Sequence, residues 1–167
     1  MIKYSLVIPF FNEEKNIKKI IKDLKKNNKQ IKSIEFILVN NGSTDNSINE
    51  FKKYLRNINK KIFRLKTVKK NIGYGYGIKY GLNQAKGSYI GWTHSDLQTD
   101  PKDVIKAIEI IKYRPTNEAL FIKGLRKRIN KKENFQTKAM ELISSYFLGI
   151  KINDINHNPY VYLGTPA

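Results

Sequence analysis

Short apolar runs alternate with amphipathic segments along most of the chain. Tyr4 to Pro9 is a short run of β-forming residues, and apolar residues then recur at the spacing of one helix face from Ile17 to Leu24. The same pair of patterns repeats three times. The predicted strands are Tyr4 to Pro9, Ile34 to Val39, Ile62 to Val68 and Tyr89 to Thr93, and the predicted helices are Asn16 to Leu24, Ser47 to Leu55, Tyr76 to Ala85 and Asp103 to Ile111.

This alternation predicts an α/β fold. Strands that alternate with helices form right-handed βαβ units, which build a mostly parallel central sheet flanked by helices. Such sheets bind their ligands beyond the carboxyl ends of the strands. Further along come an apolar stretch, a basic segment, an amphipathic helix and a polar, turn-rich tail, predicted at Ala119 to Ile122, Lys123 to Lys132, Phe135 to Leu148 and from Asn153 onward. On that last helix, Met140, Ile143 and Phe147 form a stripe that suits core packing or a membrane face.

Composition narrows the class of protein. A chain of 167 residues with 40% hydrophobic residues can bury one core and has little room for a second domain. Its amino terminus turns polar too soon for a signal peptide, and no apolar run is long enough to span a bilayer, so we expect a cytoplasmic protein. Cysteine is absent and only His94 and His157 offer imidazole, so any metal must be held mainly by oxygen.

The formal net charge of +18 is typical of a protein with an anionic partner, but it does not identify that partner. A nucleic acid, an anionic membrane surface and a phosphorylated substrate would each fit. Many of the lysines fall on predicted helix faces, so a merely solvated surface is an equal alternative.

Polar residues gather where the predicted strands end. The first strand is followed by Asn12, Glu13 and Glu14, and the fourth by Asp96, Gln98 and Asp100. Oxygen ligands at the carboxyl edge of a sheet often hold a divalent metal that nucleotide phosphates can reach. Helix capping and turn formation are the alternative explanation, with Asn12 as an N-cap.

The second and third strand ends carry turn residues. VNNGSTDNS follows the second strand, and NIGYGYGIKYG follows the third, where its glycines would let backbone approach a ligand or a neighbouring element. The glycine spacing does not match a dinucleotide fingerprint, because Ile78 stands where a glycine is required. No Gly-Lys-Ser/Thr follows a glycine run, which excludes a P-loop.

Four sequence blocks, taken in order, resemble the family 2 glycosyltransferases. They are SLVIPFFNEEKNI, ILVNNGSTDNS, NIGYGYGIKYGLNQAKGSYIGWTHSDLQTDP and DINHNPYVY. The third is most similar to the polyprenyl-phosphate sugar transferases of the dolichol-phosphate mannosyltransferase type. The resemblance implies a GT-A fold and an inverting transfer from a nucleotide-diphosphate sugar, with Mg²⁺ or Mn²⁺ as cofactor. Because members of the family usually continue past the last block, we expect residues 1–167 to be a single GT-A domain that lacks the family's C-terminal portion.

The resemblance also implies a nucleotide site. Pro9, Asn12 and Glu13 match the family's first nucleotide-contacting loop, and Asn41 and Asp45 match the loop that holds base and ribose. Asn40-Asn41 stands where the family usually has Asp-Asp, so base recognition would use an amide in place of a carboxylate. Completing the predicted set are Gly73, Ser95 and Asp96.

The family's metal motif, D-x-D-x-Q, reads His94-Ser95-Asp96-Leu97-Gln98. The predicted ligands are therefore Asp96, Gln98 and His94. An imidazole suits Mn²⁺ better than Mg²⁺. Two alternatives for His94 are a cationic contact with the diphosphate and a strand-end position with no role.

Acceptor chemistry is predicted from the later blocks. Gly124 and Arg126 match a family G-x-R, and Arg126 and Arg128 would bind an anionic acceptor, since guanidinium groups grip phosphate bidentately. A solvated basic loop is the alternative. A lipid-phosphate acceptor needs no general base, whereas a glycan hydroxyl does, and Asp154 is the candidate. The predicted catalytic residues are thus Asp96, Arg126 and Asp154.

The expected function is transfer of a sugar to a polyprenyl-phosphate or glycan acceptor in cell-envelope glycan synthesis. We expect peripheral association with an anionic membrane, at its cytoplasmic face, and no nucleic acid partner. One rival is a catalytically silent relative that binds nucleotide sugars, which would explain the missing first Asp. The other is a basic nucleic-acid-binding protein, although the tyrosines cluster at glycine turns and not in the basic stretches.

Overall fold

A computed structural model describes residues 2–95, 102–113, 120–123, 138, 142, 145, 146 and 160–163. Within them the strands are β1 (Tyr4–Phe10), β2 (Ile34–Asn41), β3 (Phe63–Val68), β4 (Tyr89–Trp92), β5 (Leu120–Lys123) and β6 (Tyr160–Leu163). The helices are α1 (Ile17–Gln30), α2 (Ser47–Leu55), α3 (Tyr74–Leu82) and α4 (Lys102–Lys112).

The strands form one six-stranded sheet in the order β3-β2-β1-β4-β6-β5. The first four strands in the chain are parallel, as the alternating pattern predicts. Every residue of β1 and β2 is buried, which is the condition of central strands covered on both faces. The apolar residues of α1 and α4 pack on one face and α3 packs on the other.

The tail differs from its prediction as a polar, turn-rich segment. Tyr160–Leu163 form β6, which lies between β4 and β5 and runs antiparallel to both. Four β-forming residues in a row are enough for this strand, because each pairs with neighbours on two sides. The Asn, Asp and Pro residues around this segment made the sequence pattern typical of a turn-rich tail and not of a strand.

Two glycines let α3 lie close against the sheet. A Cβ on Gly81 would overlap Val7 Cγ1 and lie 2.9 Å from Val39 Cγ2, and one on Gly77 would lie 3.2 Å from Pro9 Cβ. These two glycines therefore allow a neighbouring element to pack closely, which is one of the two roles predicted from the sequence, the other being close approach of a ligand. The helix begins at Tyr74, two residues before its predicted start.

A buried ionic cluster sits at the amino-terminal edge of the sheet. Glu35 is fully buried, and its carboxylate accepts hydrogen bonds from Ser5 Oγ at 2.7 Å, Lys86 N at 2.8 Å and Arg64 Nη1 at 2.7 Å. These bonds tie the starts of the first three strands to the turn before β4. The hydrophobic pattern gave no reason to single out Glu35.

The predicted Phe135 to Leu148 helix is described at four positions, which are helical: Lys138, Leu142, Ser145 and Tyr146. Met140, Ile143 and Phe147, the predicted apolar stripe, lie outside the described residues. Among the helices that the structure describes, none combines the length and apolar character needed to cross a membrane.

Candidate functional site

The carboxyl ends of β1, β2 and β4 surround a cavity of about 270 Å³. Parallel pairing places these ends at one edge, since Pro9 is opposite Val39 and Thr93 N donates to Val7 O at 3.0 Å. The cavity is lined by Pro9, Phe10, Phe11, Glu13, Asn41, Asn71, Tyr74, His94 and Ser95. The edge is where the sequence predicted the chemistry.

Asn12 joins the loop after β1 to the loop after β2. Its backbone has φ 55°, and its side-chain Oδ1 accepts a hydrogen bond from Thr44 N at 2.9 Å. Its own N–H donates to Ser43 Oγ at 3.0 Å. Because α1 begins at Ile17, Asn12 does not act as that helix's N-cap, and the capping alternative is wrong. Asn12 instead joins the loop after β1 to the loop after β2 through these hydrogen bonds.

Glu13 connects the same loop to the end of β4. Its backbone N–H donates to Ser47 Oγ at 2.9 Å. One carboxylate oxygen accepts from Asn16 Nδ2 at 2.7 Å and the other from Ser95 Oγ at 3.4 Å. The negative charge of Glu13 is thereby fixed in the cavity wall.

Asn41 lines the cavity and carries a buried side-chain acceptor. The residue is buried, and its Nδ2 donates to Asn71 Oδ1 at 3.2 Å and to Gly73 O at 3.0 Å. Both partners are acceptors, which fixes the orientation of the amide. Its Oδ1 is buried and has no hydrogen-bond partner among the described residues. A buried acceptor without a partner is costly, and this one belongs to a residue that lines the cavity.

Gly73 and Asn71 shape the loop that enters α3. Gly73 has φ 115°, which other residues rarely adopt, and its N–H donates to Asn71 Oδ1 at 2.9 Å. Gly73 thus supports the wall through Asn41 without lining the cavity. Asn71 was not among the predicted site residues, although an Asn two residues before a turn glycine is a recognisable turn signal.

Asp45 has a supporting position. Its carboxylate accepts hydrogen bonds from Ser47 N at 3.0 Å and Glu14 N at 3.1 Å. Desolvation raises the pKa of Asp45, but hydrogen bonds from the Ser47 side chain and from the backbone of Ser47, Glu14 and Asp45 itself outweigh it, so the pKa lies below its ordinary 3.8. Asp45 stands next to the wall and not in it. Its predicted contact with the nucleotide stays a prediction.

His94 is held flat against an aromatic ring. The His94 imidazole and the Tyr74 ring stack with centroids 4.6 Å apart and planes 7° apart. Tyr74 begins α3, so this pair connects the end of β4 with the loop after β3. Tyr74 was not among the predicted site residues, and its position next to a turn glycine was the signal that could have indicated it.

The remaining predicted site residues, Asp96, Gln98, Arg126, Arg128 and Asp154, lie outside the described residues, as does Gly124. Across the described ranges, no three His, Asp or Glu side chains come together as a metal site would require. The structure does bring Pro9, Glu13, Asn41, His94 and Ser95 together in one wall. Asn12, Asp45 and Gly73 do not line the cavity but are hydrogen-bonded to the loops that form its wall.

A family comparison matches nearly the whole chain. The family described as glycosyl transferase family 2 matches residues 5–163. A dodecaprenyl-phosphate galacturonate synthase from Rhizobium johnstonii is 28% identical over 167 residues, covering 96% of this chain and 48% of that protein. An undecaprenyl-phosphate 4-deoxy-4-formamido-L-arabinose transferase from Proteus mirabilis is 28% identical over 144 residues, covering 86% of this chain and 42% of that protein. The chain thus spans about half the length of these relatives.

Solved structures share the fold. A mannosyltransferase from Pyrobaculum calidifontis, in complex with GDP-Man and Mn²⁺, superposes with a TM-score of 0.66 at 15% identity, covering 96% of this chain and 44% of that one. Glucosyl-3-phosphoglycerate synthase from Mycobacterium tuberculosis, with Mn²⁺, UDP and its product, gives a TM-score of 0.71 at 16% identity, covering 96% and 56%. The GT-A fold predicted from the sequence is confirmed.

Proposed function

The chain belongs to glycosyl transferase family 2, and from this premise we propose that it transfers a sugar, with inversion, from a nucleotide-diphosphate sugar to a polyprenyl-phosphate or glycan acceptor. Cell-envelope glycan synthesis is the proposed setting. The relatives named for polyprenyl-phosphate substrates support the acceptor class. The structures solved with GDP-Man or UDP support the donor class.

The observation that carries the proposal is the buried Oδ1 of Asn41, a residue of the cavity wall, which has no hydrogen-bond partner among the described residues. An acceptor oxygen in that position suits a donor group such as a base N–H or a ribose hydroxyl. Pro9 closes the same wall, and Tyr74 offers an aromatic face beside it. The cavity is therefore suited to the nucleoside part of the donor.

The divalent metal belongs at the β4 end of the cavity. We assign Asp96 and Gln98 as its oxygen ligands and His94 as a nitrogen ligand. The stacking of His94 on Tyr74 holds an imidazole at this end of the wall, which fits Mn²⁺ better than Mg²⁺. A bound Mn²⁺ supplies positive charge to the departing nucleoside diphosphate. Glu13, held by Asn16 and Ser95, keeps a carboxylate in the wall near the end of β4.

Acceptor binding is assigned to Arg126 and Arg128. A lipid phosphate is anionic at neutral pH and attacks without a general base, so these guanidinium groups would position it. For a glycan acceptor, Asp154 would take the hydroxyl proton. The net charge of +18 supports peripheral association with an anionic membrane at its cytoplasmic face.

Calorimetric titration tests the donor site. UDP, GDP, dTDP and CDP are each titrated with Mn²⁺, Mg²⁺ or EDTA at fixed salt. We expect metal-dependent binding of one nucleotide, stronger with Mn²⁺. Asn41→Ala should weaken it about tenfold, because the ligand loses a hydrogen bond worth about 1 to 1.5 kcal/mol. Asn49→Ala is the control, since Asn49 is an exposed α2 residue outside the cavity.

A turnover assay separates an enzyme from a silent relative. Asp96→Asn should abolish sugar transfer, because it removes a metal-binding carboxylate. If Asp96→Asn transfers sugar at the wild-type rate, the metal site is wrongly assigned. Metal-dependent nucleotide binding with no transfer to any polyprenyl phosphate or glycan would support the catalytically silent reading. Failure of all four nucleotides to bind would contradict the proposed function itself.

A further inference from the structure

An exposed apolar and basic surface borders the cavity. All eight residues from 69 to 76, with the sequence KKNIGYGY, are exposed. We define the rim as the apolar Phe11, Ile72, Tyr74 and Tyr76 together with Lys69 and Lys70. The four apolar members are 42%, 59%, 38% and 42% exposed and make up half of the eight large hydrophobic residues that are exposed in the described part of the chain.

The rim is continuous with the cavity. Phe11 and Tyr74 line it, and Ile72 lies between Asn71, which also lines it, and Gly73, which binds Asn41. Ile72 and Tyr76 stand outside the wall. The rim therefore borders the opening of the cavity.

The conformation of this loop does not depend on burying its apolar side chains. Hydrogen bonds from Asn41 and Gly73 to Asn71, together with the positive φ of Gly73, fix the backbone. Ile72 is left more than half exposed at considerable hydrophobic cost. Large apolar side chains grouped in this way on a surface mark an interaction site.

The chemistry of the rim matches a membrane interface. Tyrosines place an apolar ring and a polar hydroxyl at the depth of lipid headgroups, and an isoleucine inserts among the acyl chains. Lys69 and Lys70 add positive charge that anionic headgroups attract. The attraction of each lysine decreases over about one Debye screening length from the membrane surface. A net charge of +18 favours such a surface over an apolar protein groove.

We propose that the rim docks this domain on an anionic membrane surface, with the cavity opening toward the headgroup layer. The inference rests on the proposed function, because it supplies the route by which a lipid phosphate reaches the site. A polyprenyl phosphate then needs to lift only its headgroup from the bilayer. Its long apolar chain stays in the lipid.

Vesicle flotation with paired variants tests the docking surface. Ile72→Ser with Tyr76→Ser removes two rim side chains that do not line the cavity. Ile110→Ser with Tyr113→Ser is the matched control, because these residues are 48% and 90% exposed and lie at the end of α4. A parallel βαβ connection places that end at the opposite edge of the sheet. Vesicles contain phosphatidylcholine alone or with phosphatidylglycerol, at low salt and at 1 M salt.

The wild type and the α4 variant should float with the phosphatidylglycerol vesicles, and the rim variant should bind them about tenfold or more weakly, as loss of partly inserted apolar side chains requires. Nucleotide binding should be the same in all three proteins, which shows that each is folded. Equal vesicle binding by the two variants would overturn the proposal. It would also be overturned if 1 M salt abolished vesicle binding by the wild type while the rim variant bound as well as the wild type at low salt. Vesicle binding that the rim variant loses, without nucleotide binding by the wild type, would contradict the proposed function but support the docking surface.

Discussion

The buried ion pair between Glu35 and Arg64 supports a quantitative prediction. Glu35 is fully buried, and the side chain of Arg64 is 16% exposed, with 2.7 Å between Nη1 and Oε2. Replacing Arg64 with Met keeps an apolar stem of similar length but leaves the carboxylate buried and without its counter-charge. Removing one partner of a buried pair costs about 3 to 5 kcal/mol. Because a domain has about 5 to 15 kcal/mol of stability in total, this loss is a large part of it.

Urea unfolding measures the effect, and the only tryptophan, Trp92 in β4, reports it by fluorescence. With a slope of about 2 kcal/mol per molar urea, a loss of 3 to 5 kcal/mol lowers the midpoint by about 1.5 to 2.5 M. Lys53→Met is the matched control. It breaks an exposed pair with Glu50 at 3.5 Å, which should cost less than about 0.5 kcal/mol.

A second substitution isolates the charge. Glu35→Gln removes the carboxylate, so Arg64→Met should cost less in that background than in the wild type. We expect a coupling free energy of about 1 to 3 kcal/mol. Equal midpoints for Arg64→Met and Lys53→Met would refute the reasoning, because the cluster would then not depend on its charge. The cluster lies at the edge opposite the cavity, so folded Arg64→Met should bind nucleotide normally.

Three further predictions follow from the described contacts. Gly81→Ala should destabilise the domain by about 1 to 3 kcal/mol in thermal unfolding because of the clash with Val7, whereas Gly75→Ala, at an open helix position, should be neutral or slightly stabilising. Asp45→Asn should lower stability at neutral pH, and its difference from wild type should shrink below pH 3.8, because a depressed pKa contributes stability that is lost as pH falls through the folded value. Asn41→Asp should weaken nucleotide binding about tenfold in calorimetry, because a carboxylate cannot donate the hydrogen bonds that hold the loop, and an unchanged affinity would contradict this.

The main architecture could be predicted because each element repeats a strong local pattern. The four parallel strands and four helices agree with their predictions to within three residues at each end, except that α1 continues six residues past Leu24 to Gln30. Central strands such as β1 and β2 are mostly apolar, which leaves little ambiguity once helices separate them. β6 escaped prediction because its four residues form a strand only by pairing with strands that are distant in sequence.

The candidate site was predictable in part for a similar reason. Strand-end residues such as Glu13 and Asn41 share an edge as soon as the strands are parallel, so their meeting follows from topology. The contacts that hold them do not follow from topology. Two examples are the hydrogen bond between Asn12 and Thr44 and the stacking of Tyr74 on His94. Both depend on loop conformations, which the hydrophobic periodicity of the sequence does not predict.

The loop contacts give a physical reason for the amide at position 41, where the family resemblance led us to expect Asp. Asn41 Nδ2 must donate to Asn71 Oδ1 and Gly73 O, and a carboxylate there would set negative charge about 3 Å from two acceptor oxygens. Asn71 in turn accepts from Gly73 N, so the three groups form one connected unit. The amide at position 41 is therefore matched by the loop after β3 in this chain.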